Sequence, residues 1–159
     1  MYTKHEFTAF PLEEYTPWWY IEAKKINFGG NEMIVYEKKT EKSFDEALED
    51  LKKALAERKF GVLWEMNFKD KLQEKGLDFN KNFKVMEVCN PPKAKVVLDR
   101  HLEAGYMLPC KMVVYEKEDG VRIGMMKPTS LAGIMEGMEL DDVAMEVEEI
   151  LTEAIEAAI

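Results

Sequence analysis

The run LPCKMVVYEKEDGVRIGMMKP, residues 108–128, constrains the fold more than any other part of the chain. Two stretches rich in Val, Ile, Met and Tyr flank Glu118-Asp119-Gly120. Asp-Gly between such stretches is a strong signal for a tight turn, so two antiparallel strands are expected here.

The segments around this hairpin supply the other elements. Residues 33–38, MIVYEK, read as a strand. Ser43 stands three residues before Glu46, the spacing of a capping box. It opens a helix whose apolar positions Phe44, Ala47, Leu48, Leu51, Ala54 and Leu55 recur at helical spacing. Gly61 is expected to end that helix, residues 61–67 (GVLWEMN) to form a second strand, and residues 68–75 a short helix stopped by Gly76. In the third strand, 83–89 (FKVMEVC), alternation puts Phe83, Val85, Glu87 and Cys89 on one face and Lys84, Met86 and Val88 on the other. Asn90 is a good N-cap, and Pro91 suits the first position of a helix running through Val96, Val97, Arg100 and His101 to end near Gly105. Beyond the hairpin, Leu140, Val143, Val147, Ile150, Leu151, Ala154, Ile155 and Ala158 make the apolar stripe of a last helix whose other face is acidic. The order β-α-β-(α)-β-α-β-β-α predicts an α+β domain over residues 32–159, a largely antiparallel sheet with helices packed on it.

Residues 1–31 differ from the rest. They hold eight of the 17 aromatic residues, including Trp18, Trp19 and Tyr20, carry Pro11 and Pro17, and close on Gly29-Gly30-Asn31. This aromatic N-terminal arm reads either as a cover for an apolar surface or as a segment that docks on a partner or lids a cleft.

Charge narrows the partners. Residues 128–159 contain nine acidic residues and no basic one, and the 22 basic and 22 acidic residues before them balance, so the tail accounts for the net −9. A nucleic-acid-binding face needs a basic stripe, and none is present. No apolar run approaches the length that crosses a bilayer, and acidic residues stand where a signal peptide would be apolar. A cytoplasmic protein with reduced cysteines and no membrane partner is therefore expected. Gln73 is the sole glutamine beside abundant Lys and Glu, a composition found in heat-loving sources.

Few catalytic constellations are available. There is no Walker loop and no Gly-x-Gly-x-x-Gly, and two histidines, His5 and His101, give little support for zinc or serine hydrolase chemistry. His101, late in a helix, reads as a capping or surface residue. The two cysteines are the better candidates. Cys89 directly precedes a helix N-terminus, where unpaired N–H groups and the dipole favour thiolate; the alternative is a buried thiol plugging a strand end. Cys110 opens the next strand, and within ~7 Å of Cys89 the pair would reach disulfide or metal-sharing distance. Met107, Met112, Met125 and Met126 lie in or beside the same hairpin. Thioethers with thiolates would select a soft metal or flank a haem, with Cys89, Cys110, Met107 and Met112 as the metal candidates; the alternative is that the methionines fill irregular core space.

VCNPPKA, then MLPCKMVVYE, then DGVRIGMMKP resembles the domain of unknown function 302 family: Cys-Asn-Pro, a helix, Leu-Pro-Cys leading into an apolar strand, a glycine turn, and a strand ending in Pro. The upstream SFDEALEDLKKALAERKFGVLWEMNF fits the family's opening helix and strand, and the resemblance runs from about residue 33 to the end. It implies a small α/β fold that forms homodimers, with no established activity. Lys111 and Lys127 depart from it, standing where the family has a small polar and an acidic residue; if they line a shared site, that site is shifted toward anions.

The leading expectation is a homodimeric domain that binds a small molecule or a soft metal near Cys89, Asn90 and Cys110, with Cys89 the more thiolate-prone. A second is a non-catalytic interaction module using the aromatic arm and the acidic last helix. A third is a thiol redox protein cycling Cys89 and Cys110 through a disulfide.

Overall fold

In the computed structural model of the chain, residues 34–135 and 137–159 are described. The aromatic arm and His5 lie outside them. Five strands make one sheet, β1 (Val35–Thr40), β2 (Gly61–Asn67), β3 (Phe83–Cys89), β4 (Cys110–Lys117) and β5 (Gly120–Met126), in the order β1-β5-β4-β3-β2. Every neighbouring pair is antiparallel. The expected α+β architecture is therefore the one observed.

The hairpin sits inside the sheet. Lys117 pairs with Gly120, leaving Glu118 and Asp119 as a two-residue turn. Gly120 takes φ +129, and a Cβ there would stand 2.8 Å from the Lys39 side chain and 3.1 Å from the Thr40 carbonyl. Both the conformation and the close approach of β1 require glycine.

Helix α1 (Phe44–Glu57) and the C-terminal helix, named α5 below (Asp141–Ala158), cover one sheet face. Ser43 and Glu46 form the expected capping box at the start of α1. Leu51 and Leu55 of α1 and Leu151 and Ile155 of α5 are fully buried against Met86, Val88, Met112, Val114 and Ile123 of the sheet. Each such side chain contributes about 1.5–3 kcal/mol of burial, which makes this layer the main source of stability. The opposite face carries aromatic and charged residues. Phe83 meets Phe68 edge-to-face and Tyr115 at a tilt, with ring centroids 5.6 Å apart in both pairs, and Tyr115 donates to Glu37.

Gly61 does not end α1. Arg58 caps it and Lys59 takes the left-handed turn with φ 63, its N–H donating to Ala56 O, while Phe60 N–H reaches back to Leu55 O. Gly61 instead begins β2. Between β2 and β3, α2 (Phe68–Glu74) is capped by the Asn67 side chain, which accepts from the N–H groups of Lys69 and Asp70. After β3, α3 (Pro91–Arg100) ends earlier than Gly105, because His101 is extended at φ −147; a 3-10 helix over Leu102–Met107 fills the gap. A short helix, α4 (Pro128–Ile134), follows β5 and has no counterpart in the sequence reading, where the segment between the hairpin and the last helix carries no periodic stripe. Among the described residues, no helix is long and apolar enough to cross a membrane.

Candidate functional site

Helices α3 and α4 both start where a sheet strand ends: α3 directly after Cys89 and Asn90, α4 directly after Met126 and Lys127. Both lean toward the first half of α5, and a cavity of about 70 Å³ lies between them and the strand ends. Its sheet-side wall is Phe60, Cys89, Cys110 and Met126. Its helix-side wall includes Ala94 and Val97 of α3, Leu131 and Ala132 of α4, and Val143, Ala144 and Val147 of α5, with Met107 and Leu108 closing one side. Val97 packs against both the main core and a small cluster of Ala104, Ala132, Leu140 and Ala144, so the cavity is the seam between two apolar clusters.

The polar groups of the lining are few. Asn90 is buried and its side-chain oxygen accepts from the Lys93 N–H at 3.2 Å, capping α3. The Lys93 ammonium pairs with Glu146 on α5. Glu148, also on α5, accepts from the Thr129 N–H at 3.0 Å and from the Thr129 hydroxyl, tying the first turn of α4 to α5. Arg100 at the end of α3 holds Asp142 through both terminal nitrogens, at 2.7 and 2.9 Å. Three polar ties thus fix α3 and α4 to α5 around the apolar seam.

The structure brings Cys89, Asn90, Cys110 and Met107 to one place. Met112 is not there. It points into the main core from β4, fully buried among Met86, Val114 and Met125, and so leaves the set of metal candidates. Met126 takes its place in the lining, half exposed at the mouth. Its position as the last residue of the hairpin strand, with only Lys127 between it and Pro128-x-x-Leu131-Ala132, was the available signal. Lys111 and Lys127 do not line the cavity; Lys111 pairs with Glu87 in the β3–β4 register, on the face opposite the core, and Lys93 is the lysine in the cavity wall.

Both thiols are free; no disulfide joins them. Of the two readings of Cys89, burial outweighs the helix start. Burial pushes its pKa up, since charge is disfavoured away from water, and Asn90 already satisfies an N-terminal N–H of α3. Burial pushes Cys110 further, to about 11, and the neighbouring Cys89 adds to the rise. Cys89 remains the more acidic of the two.

The acidic face of α5 is largely engaged within the chain. Beyond Asp142, Glu146 and Glu148, Glu153 pairs with Arg58 at 3.4 Å, and Glu156 takes Lys38 at 3.1 Å and the Tyr36 hydroxyl. Four of the nine acidic residues in 128–159, Asp142, Glu146, Glu153 and Glu156, thus pair with cations from earlier elements.

The model of the family described as "Domain of unknown function DUF302" matches residues 36–158. Among solved structures, the chain is similar to the crystal structure of an uncharacterized conserved DUF302 protein from Bacillus stearothermophilus. The two are 40% identical, the TM-score is 0.77, and the match covers 80% of this chain and 99% of that one. No curated protein matches the chain.

Proposed function

As the chain belongs to the DUF302 family, whose members share a domain of unknown function, we propose that its role resides in the seam cavity, which binds a small apolar or soft ligand against Cys89 and Cys110. One observation carries this reading: two free thiols from neighbouring strands face the same apolar cavity, walled by three helices. Size selects the ligand. The cavity is about half the ~150 Å³ that accepts benzene in an apolar protein interior, and well below the roughly 300 Å³ at which drug-sized pockets begin. A short alkyl group or a single soft atom fits that volume; a macrocycle such as haem does not. With no histidine or carboxylate in the wall among the described residues, the cavity favours binding over acid–base catalysis.

Xenon is a suitable probe because it enters dry apolar cavities without polar partners. With the methionine methyl groups labelled, xenon pressure is expected to shift the NMR signals of Met107 and Met126 and leave those of the core residue Met112 in place. Ala132→Leu adds three carbons to the wall and is expected to abolish the shifts. Unmoved Met107 and Met126 signals, or equal shifts in the variant, would overturn the reading.

A further inference from the structure

Four sulfur-bearing residues, Cys89, Cys110, Met107 and Met126, line the seam cavity, and among the described residues its wall contains no histidine, aspartate or glutamate. Among the described residues there is no group of three or more His, Cys, Asp or Glu able to hold a metal, so an oxygen- or nitrogen-rich cation site is not on offer. Thiolate with thioether is the donor set that selects monovalent copper over harder cations. We propose that this cavity is a Cu(I) site, with the Cys89 and Cys110 sulfurs as the principal ligands and the Met126 thioether, at the mouth, as the third. The proposal rests on the cavity being a binding site and names the ligand.

The backbone suits this assignment. Val88 is the register partner of Cys110, so Cys89 is one step further along the neighbouring strand. That offset puts the two Cα atoms about 6 Å apart, given ~5 Å across an antiparallel pair and ~3.3 Å along a strand. Metal–thiolate bonds of about 2.3 Å bridge two sulfurs on side chains at that separation. In a regular strand Cys89 would face away from Cys110, but it is the last residue of β3, where the chain turns into α3, and its side chain also lines the cavity. Loading breaks two S–H bonds and forms two Cu–thiolate bonds and one Cu–thioether bond, with both protons passing to solvent and no electron transferred. The resulting site has one net negative charge, next to the N-terminal turn of α3, whose dipole stabilises it. The half-exposed Met126 gives the ion a soft first contact on the way in.

The test is competition between the full, reduced chain and bicinchoninate for Cu(I) under nitrogen. One copper per chain is expected, with only sulfur in its first shell by X-ray absorption. Cys89→Ser and Cys110→Ser should each cost no less than the roughly 10–100-fold that loss of an outer-sphere partner costs. Met126→Leu, which conserves volume, should weaken binding severalfold, and Met112→Leu should leave it unchanged. Failure of the wild type to take copper from the competitor, equal affinities in wild type and both serine variants, or equal losses in the two leucine variants would each overturn the proposal. Methyl spectra of every variant report whether it is folded. Xenon shifts without copper uptake would remove the copper assignment and keep the cavity; copper uptake without xenon shifts would keep the sulfur site and remove the apolar-ligand reading.

Discussion

Cys89 and Cys110 stand on neighbouring antiparallel strands, one register step apart, and both face the cavity beneath α3, α4 and α5. The start of α3 favours a thiolate at Cys89, but burial outweighs it and raises both thiols. A rise from 9.0 to about 11 leaves Cys110 with roughly one hundredth of the thiolate of an ordinary cysteine at neutral pH. Iodoacetamide at pH 7.5, read by peptide mass spectrometry over time, should therefore label Cys89 before Cys110, and both more slowly than in the urea-unfolded chain. Faster labelling of Cys110 would mean that the cavity is wetter than its walls imply.

The same burial makes stability depend on alkaline pH. A thiol whose folded pKa is raised stays neutral in the folded chain after the unfolded chain has lost its proton. The stabilisation is thus complete below pH 9 and lost as pH rises from 9 toward 11. In urea titrations at pH 8 and pH 10, wild type should lose roughly 1 kcal/mol more than Cys110→Ala, which has no thiol there to ionise. Tyr115, raised to about 12 by burial and its bond to Glu37, titrates in both proteins and cancels in the comparison. Parallel losses would show that Cys110 ionises in the folded chain as readily as in the unfolded one.

Much of the fold was legible because local signals and global packing agree. The capping box at Ser43 and Glu46, the Asp119-Gly120 turn and the stripe from Val143 to Ala158 each appear where periodicity and turn chemistry place them. The cavity was half legible. Cys89, Asn90 and Cys110 bracket a strand end and a strand start, and antiparallel pairing brings such ends together. Met112 and Met126 could not be sorted by residue type; only the pleat separates them, sending Met112 into the core and leaving Met126 at the end of β5 beside α4. Helix α4 was missed because seven residues are too few to show a period, although Pro128 at its first turn marks the start. At Cys89 a sequence shows the helix start that favours thiolate but not the burial that opposes it, so it could not decide between a poised and a buried thiol.

Arg100 and Asp142 join the end of α3 to the start of α5 at the edge of the cavity, and Arg100 also donates to the Glu139 carbonyl at 3.1 Å. The guanidinium holds the Asp142 carboxyl down at about 2. A depressed carboxyl stabilises the folded chain above its unfolded value of 3.8, and the contribution is lost as pH falls from 3.8 toward 2. Both side chains are solvent-exposed, so the effect on stability is small, and the titration itself is the sharper observable. Carboxyl NMR should place the Asp142 midpoint near 2 in wild type and return it toward the ordinary aspartate range in Arg100→Gln. An unchanged midpoint would assign the depression to the other bonds Asp142 accepts, those from the backbone at the start of α5.

Lys59 is the residue that turns the chain out of α1, at φ 63, a conformation that costs a side chain with a Cβ more than it costs glycine. The turn is closed by two backbone bonds, Lys59 N–H to Ala56 O at 3.0 Å and Phe60 N–H to Leu55 O at 2.9 Å, and the second delivers Phe60 to the cavity wall. Phe60 is 3% exposed, so the chain has packing reasons to keep this turn whatever residue occupies position 59. Glycine there removes the strain but adds freedom to the unfolded chain, and at helix ends of this kind the first effect is the larger. Lys59→Gly should therefore raise stability by about 0.5–1 kcal/mol, read as a higher urea midpoint with an unchanged slope. Lys59→Ala keeps the Cβ and should give no such gain. If glycine and alanine behave alike, the left-handed turn is not strained and the lysine is there for its charge.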